Sequence, residues 1–387
     1  MNTSKKSAVF TYQKTNRFFA QISEGLEILG AEELKSLGAT EIKTIYRGIW
    51  FEADMETLYR VNYQSRLCSR IMAQLLRFDC HSTKYLHKTA IKMDWLTLFD
   101  ENKTFAISAT VANSKIKHSQ YAALCLKDAI ADYFRELRGT RPNVDTENPD
   151  VRLNLHIENN RATINLDTSG GSLHRRGYRV ESVEAPMQET VAAAIIRLSG
   201  WDGSTPLIDP MCGSGTLISE AIMHYCRIPA GYFRQQFGFT VMPEFDQKIW
   251  EKVRETENKQ IKKLPAELVS ANDINKQSVT AAQTNINLLP DSRQVRFTTK
   301  PFQQLKIKPK STIICNPPYG IRLNKNTDIG SFMKELGDFL KTSCQGSTAY
   351  IYLGKKELAK EIGLKPAWKK PLKNGGLDGI LVKYELY

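Results

Sequence analysis

Pro206-Leu-Ile-Asp-Pro-Met-Cys-Gly-Ser-Gly-Thr216 is the stretch on which the fold turns. Pro206–Asp209 reads as a short strand that runs into a glycine loop, with a helix expected over Leu217–Tyr225. Glycines at 213 and 215 let the backbone turn sharply and approach a ligand closely. The helix that follows offers unpaired N–H groups at its N-terminus to a negatively charged group. A lone G-x-G is weak evidence, and the third glycine of the dinucleotide fingerprint is replaced here by Ile218. Asp209 at the strand tip sharpens the reading, because it could meet an ammonium group, directly or through water.

Working outward, Glu267–Ala271 reads as a second strand that ends in Asn272-Asp273. An acid at that tip can accept both hydroxyls of a ribose. It lies further from the glycines than in a dinucleotide fold because residues 226–264 are inserted. The plainer reading of Asp273 is a cap for a helix over 274–287, and the two roles are compatible. A helix is expected over Met187–Leu198, ending at Gly200. From there the chain alternates strands and helices, with near-continuous apolar strands, as a doubly wound, mostly parallel sheet does.

A further apolar run, Ser311-Thr-Ile-Ile-Cys315, opens into Asn316-Pro-Pro-Tyr-Gly320. Pro317 and Pro318 fix φ and remove two donors, and Pro317 pushes Asn316 toward an extended conformation. A fixed amide, fixed carbonyls and the Tyr319 ring suit a flat base that bears an exocyclic amine. A Pro-rich turn that merely closes a strand is the competing reading.

The 387 residues allow two or three domains, and 41% hydrophobic with 25% charged residues is a globular composition. No apolar run approaches the length of a membrane span, and no apolar signal region follows Met1, so a cytoplasmic protein is expected. The seven cysteines form no C-x-x-C pair, and the six histidines lack H-x-x-x-H spacing. Reduced thiols and no metal site are expected. The net charge is +13. Residues 60–92 carry seven Lys/Arg against Asp79, and residues 286–325 carry eight against Asp291. Such clusters suit a nucleic-acid polyanion or are solvated basic faces.

In the N-terminal half, a β-α-β-β-α order over residues 8–62 predicts a small ferredoxin-like unit. A second α+β unit is expected from 66 to 170. Its elements are a strand over Ser69–Asp79, a helix over Lys84–Leu98, a strand over Thr104–Thr110 and an amphipathic helix over Ser119–Arg138. A hairpin over Val151–Asp167 turns at Asn159-Asn160. Ser169–Ser172 reads as a flexible break and Leu173–Arg179 as a basic connector.

Taken together, D-P-M-C-G-S-G-T at 209–216 and N-P-P-Y-G at 316–320 resemble class I S-adenosylmethionine-dependent methyltransferases that methylate amines. H-R-R-G-Y-R at 174–179, A-P-M-Q-E-T at 185–190, S-G-W at 199–201 and P-P-Y-G-I-R-L at 317–323 are similar to bacterial 23S ribosomal RNA guanine-N2 methyltransferases. The resemblance covers nearly the whole chain. It implies a Rossmann-like, seven-stranded methyltransferase domain over 187–387, behind a ferredoxin-like domain (1–65), a THUMP RNA-binding domain (66–170) and a linker (171–186). It also implies S-adenosylmethionine as cofactor, S-adenosylhomocysteine as product and RNA, from the 23S species, as partner, and it leaves the oligomeric state open. Asp209, Pro210, Cys212, Gly213, Ser214, Gly215, Thr216 and Asp273 would hold the cofactor. Asn316, Pro317, Pro318 and Tyr319 would be catalytic. The family places an acid after the third strand to bind the adenine amine, and Thr298–Gln304 contains none. Phe302 and Gln303 are the candidates there. Arg322 and Lys325 would meet flanking phosphates. An adenine-N6 methyltransferase of DNA or RNA shares N-P-P-Y, and a catalytically inactive RNA-binding or assembly protein is the rival from another class.

Overall fold

The computed structural model describes residues 10–182, 187–318 and 328–387. The chain divides into two compact units. The first comprises the residues up to Ile22, Glu27–Leu173 and Arg234–Arg254; the second comprises Ser23–Leu26, His174–Phe233 and Glu255–Tyr387.

The first unit runs α1 (Thr11–Thr15), β1 (Arg17–Ile22), α2 (Glu27–Ser36), β2 (Thr40–Ile45), β3 (Gly48–Glu52), α3 (Met55–Gln64), β4 (Cys68–Asp79), α4 (Thr83–Ala90), β5 (Thr104–Ala112), α5 (Ser119–Arg138), β6 (Asn143–Val144), β7 (Val151–Glu158) and β8 (Arg161–Asp167). These strands form one eight-stranded sheet in the order β2-β3-β1-β4-β8-β7-β5-β6. The ferredoxin-like and THUMP regions thus share a sheet. The twelve-residue strand β4 joins them, pairing antiparallel with β1 on one side and β8 on the other. Asn159 and Asn160 adopt φ of 50° and 58°, the left-handed pair a tight hairpin requires.

The helix expected over Lys84–Leu98 stops at Ala90, and a separate short turn covers Trp95–Thr97. Trp95 is fully buried and its indole N–H donates to the Ala90 carbonyl at 2.9 Å, so the chain folds back at the helix end. The insertion is also resolved into parts. Residues 234–254 return to the first unit, where Tyr59 packs on Phe239, Phe245 and Trp250. Gly238 lies so close to the hairpin that a Cβ there would sit 1.9 Å from the Asp167 carbonyl oxygen.

The second unit contains α6 (Glu189–Ser199), β9 (Leu207–Asp209), α7 (Thr216–Tyr225), β10 (Val269–Asp273), α9 (Lys276–Asn287), β11 (Arg296–Thr299), β12 (Thr312–Cys315), α10 (Ile329–Ser343), β13 (Thr348–Leu353), α11 (Leu358–Glu361), β14 (Trp368–Asn374) and β15 (Leu377–Glu385), with α8 (Gln247–Asn258) crossing the division. Its seven-stranded sheet has the order β11-β10-β9-β12-β13-β15-β14. The first five strands are parallel, and β15 runs antiparallel to both its neighbours. β9 lies between β10 and β12, so the chain order reverses at that place. The crevice beyond the strand ends at such a switch point is where doubly wound sheets bind ligands.

One expectation is overturned. The segment read as a linker, 171–186, is not a free tether where it is described. His174–Ser182 belongs to the second unit, with Arg176 and Tyr178 fully buried. Arg176 forms a buried ion pair with Glu220 of α7 at 3.4 Å, and the Tyr178 hydroxyl donates to the same carboxylate at 3.1 Å. Two of the basic residues read as a connector, Arg176 and Arg179, are thus paired with buried carboxylates of the second unit, while Arg175 stays exposed.

Candidate active site

The glycine loop leaves β9 at Asp209, whose carboxylate is 1% exposed and accepts the Met211 N–H at 3.0 Å. No basic side chain pairs with it among the described residues. Burial pushes this carboxyl up to about 8, the Met211 bond opposes the rise, and the nearby charge of Asp273 adds to it. Gly213 and Gly215 adopt φ of 53° and 82°, as the tight loop requires. A Cβ on Gly215 would meet the Ala282 Cβ at 3.0 Å, so α7 begins pressed against α9. Gly215 is also the N-cap of α7 and brings no side chain to it, which leaves first-turn N–H groups for a ligand.

Asp273, at the tip of β10, is not the cap of α9. Asn275 fills that position, its side chain accepting the Gln277 N–H at 2.8 Å. The Asp273 carboxylate instead accepts the N–H of Gly213 at 3.0 Å and that of Asn275 at 2.9 Å. The buried Asn272 beside it was given no role from the sequence. Its amide donates to the carbonyls of Pro210 and Lys300, each at 2.9 Å, and accepts from Thr298 at 2.8 Å, tying three strand tips together. Ile274, next in line, is a large apolar side chain left 68% exposed.

Phe302 and Gln303 both make contacts with α10. The Phe302 ring is buried edge-on against Phe332 and Phe339 of α10, and the Gln303 amide donates to Glu335 at 2.8 Å. Apolar packing against α10 outcompetes a solvent-facing position for the phenylalanine ring.

β12 is buried along its length, pairs with β9 and leads directly into Asn316. The Asn316 side-chain oxygen is buried and has no hydrogen-bond partner among the described residues. Such an oxygen costs free energy unless a donor arrives. Pro317 is buried and Pro318 half-buried behind it. Tyr319, Gly320, Arg322 and Lys325 lie outside the described residues.

In the first unit, part of the basic cluster is structural. Arg60 pairs with Glu56, Arg70 with the buried Asp167, and Arg66 is buried. Arg77, Lys84, Lys88 and Lys92 remain exposed. The Cys125 thiol donates to the Thr83 carbonyl at 2.9 Å and His87 bonds Asp132 at 3.0 Å, so α4 and α5 run side by side in the same direction. Their N-termini emerge at one end. A pocket of about 480 Å³ there is lined by Lys117, His118, Ser119, Gln120, Tyr121 and Leu124. Tyr121 and Leu124 are exposed, and residues 102–127 contain no acid. Among the described residues, no group of three His, Cys, Asp or Glu could hold a metal ion, and no helix is long and apolar enough to cross a membrane.

Comparison with known proteins agrees with this geometry. The RMKL-like methyltransferase domain model matches residues 176–383, the THUMP domain model 80–167, and the RlmL ferredoxin-like domain model 17–72. A putative RNA methyltransferase of Synechocystis sp. is 36% identical over 374 residues, 96% of this chain and 97% of that protein. A ribosomal RNA large subunit methyltransferase K/L of Syntrophotalea carbinolica is 36% identical over 383 residues, 96% of this chain but 53% of that protein. The chain thus spans about half the length of the K/L relative. A crystal structure of a putative methyltransferase complexed with S-adenosylhomocysteine superposes with a TM-score of 0.84 at 26% identity, covering 96% of this chain and 98% of that one. The chain belongs to the RMKL-like methyltransferase family, as a THUMP-domain, S-adenosylmethionine-dependent RNA methyltransferase related to the bacterial large-subunit K/L proteins.

Proposed function

We propose that the protein transfers a methyl group to the exocyclic amine of a base in RNA, and that the amine is N2 of a guanine in 23S ribosomal RNA. The observation that carries the amine is the buried, unpartnered oxygen of Asn316 at the tip of β12. The K/L relative supports the choice of ribosomal RNA.

The residues present fit the cofactor. Asp209 is a buried carboxylate with no basic side chain paired to it among the described residues, suited to an ammonium group. Asp273 is suited to ribose hydroxyls, the uncapped start of α7 to a carboxylate, and the exposed Ile274 to an apolar ring face. In this reading Ile274 takes the place first given to Phe302. When bound, S-adenosylmethionine supplies an electrophilic methyl on a sulfonium.

An aromatic amine is a poor nucleophile because its lone pair is delocalised into the ring. The Asn316 oxygen and the Pro317 carbonyl would accept its two hydrogens and draw it toward tetrahedral geometry. Their positions are fixed by β12 and the two prolines, so the work is positioning and electrostatic preorganisation, without a general base of unusual pKa. The target base must leave its stack to arrive there. The acid-free end of α4 and α5 supports an RNA partner, with lysines toward phosphates and Tyr121 toward a base.

The test is transfer of labelled methyl groups to total RNA and to DNA, followed by nucleoside analysis. N2-methylguanosine in 23S RNA is expected. N6-methyladenosine would overturn the guanine assignment, and label in DNA alone would overturn the RNA assignment.

A further inference from the structure

We propose that Asn285 and Arg179 are positioning residues for the cofactor, lacing residues 179–181 of the chain onto the glycine loop. This rests on the reading of that loop as the cofactor site.

Asn285 lies on α9 and is fully buried. Its amide nitrogen donates to the Ser214 carbonyl at 3.0 Å and to the Glu181 carbonyl at 2.8 Å. Its oxygen accepts the N–H groups of Val180 and Glu181, each at 2.9 Å. An asparagine side chain has two donor hydrogens and one two-lone-pair acceptor, so every hydrogen-bonding position is used. Only an unsubstituted amide in this orientation satisfies all four. Aspartate would lose both donors, and alanine would leave the buried Ser214 carbonyl, the Glu181 carbonyl and two N–H groups without this partner.

Arg179 makes a second stitch one turn away. Its guanidinium donates to the Thr216 hydroxyl at 3.0 Å and to the Met187 carbonyl at 2.7 Å, and it lies 3.4 Å from the buried Glu189. Ser214 and Thr216 flank Gly215, the left-handed residue at which the loop becomes α7. The loop therefore has an anchor on each side of its most permissive position. Asp273 supplies a third anchor at Gly213. A glycine loop without such anchors would have to be ordered by the ligand, and that ordering entropy would weaken binding.

The consequence is a split between binding and turnover. Loosening the loop should weaken cofactor binding, while a saturated enzyme still presents Asn316 and Pro317 unchanged. The measurements are S-adenosylhomocysteine binding by calorimetry, KM for S-adenosylmethionine, kcat and Tm on the full chain. Asn285→Ala, Asn285→Asp and Arg179→Lys are compared with Val279→Ala, a buried change elsewhere on α9. Binding of S-adenosylhomocysteine should weaken about tenfold or more in the Asn285 variants, with the rise in KM matching it, for the loss of hydrogen bonds that include the buried one to Ser214. In each, kcat at saturation should stay within about threefold. Arg179→Lys keeps the charge opposite Glu189 but carries it on a side chain of different reach from the one nitrogen that makes both hydrogen bonds, so a smaller weakening is expected. Val279→Ala should lower Tm and leave the affinity alone.

If Asn285→Ala does not fold, Arg179→Lys carries the test. Affinity within twofold of wild type in the folded variants, or an equal loss in Val279→Ala, would overturn the proposal. A wild-type chain that fails to bind S-adenosylhomocysteine would refute instead the assignment of the cofactor site.

Discussion

The Asp273 carboxylate accepts the backbone N–H of Gly213 at 3.0 Å, so the acid at the second strand tip holds the loop that leaves the first. In the proposed reading, ribose recognition and loop shape are coupled through this one side chain. Asp273→Ala should weaken S-adenosylhomocysteine binding by about 1–3 kcal/mol, the range for a lost charge-assisted hydrogen bond, with little change in far-ultraviolet circular dichroism. Isothermal titration of the two proteins measures it; equal affinities would remove Asp273 from the site.

Asn316→Ala should leave that binding within about twofold while kcat falls by about 100-fold to 1,000-fold, the range for losing one preorganised polar contact in a transition state. The variant should fold well, because the oxygen it removes is buried without a partner among the described residues. A turnover number near wild type in single-turnover methylation would sink the catalytic role.

Asp209 predicts a proton released on cofactor binding. In the folded chain burial pushes its carboxyl up to about 8, far above the ordinary carboxylate range. The folded state therefore keeps a proton that the unfolded state gives up between about pH 4 and 8. This group's contribution to stability accordingly falls as pH rises through that window. An ammonium group placed beside the carboxylate favours its ionised form. Binding should then tighten from pH 6 to 8 and flatten above, with proton release seen as a buffer-dependent heat in calorimetry. Asp209→Asn should abolish the release and raise Tm at pH 8.5, where the wild type carries a buried charge.

The return of residues 234–254 to the first unit predicts that the two halves do not separate cleanly. A fragment holding only 174–387 would carry Phe237, Phe239 and Trp250 without the Tyr59 and Tyr63 rings they pack on. It should aggregate on purification. In the full chain, Gly238→Ala should cost about 3 kcal/mol, because the added Cβ meets a backbone carbonyl that has nowhere to go. Chemical denaturation measures the loss, and an unchanged midpoint would contradict the close approach.

On the RNA side, Tyr121→Ala should weaken RNA binding by about 1–3 kcal/mol if a base stacks on the ring. Lys117→Ala should reduce the dependence of affinity on salt by about one phosphate's worth. Neither should alter S-adenosylhomocysteine binding. Filter binding across a salt series checks both, and unchanged RNA affinity in the pair would move the RNA contact elsewhere.

Much of the site is legible in the chain itself because its parts are local. A strand, a glycine loop and a helix start lie within residues 206–225, and a strand with its rigid turn within 311–318. Period-two apolar patterns and Asn-Asn at a turn likewise announce the hairpin of β7 and β8. Asn285, Asn272 and Arg179 were not legible. Each acts on backbone carbonyls or N–H groups far away in sequence, and a buried asparagine looks like any other in a string of letters. The packing of Phe302 was not legible for the same reason, since only the position of α10 shows which rings it meets.

The sequence by itself determined the two kinds of fold and which residues stand at the strand tips, because periodicity, glycine, proline and a carboxylate act within a few residues of themselves. The tertiary structure alone decided that two N-terminal domains share one sheet through β4, that 234–254 belongs with them, and that Arg176 and Arg179 pair with buried carboxylates rather than forming a basic tether. Those outcomes depend on which distant surfaces exclude water from one another, and that is settled only when the chain is packed.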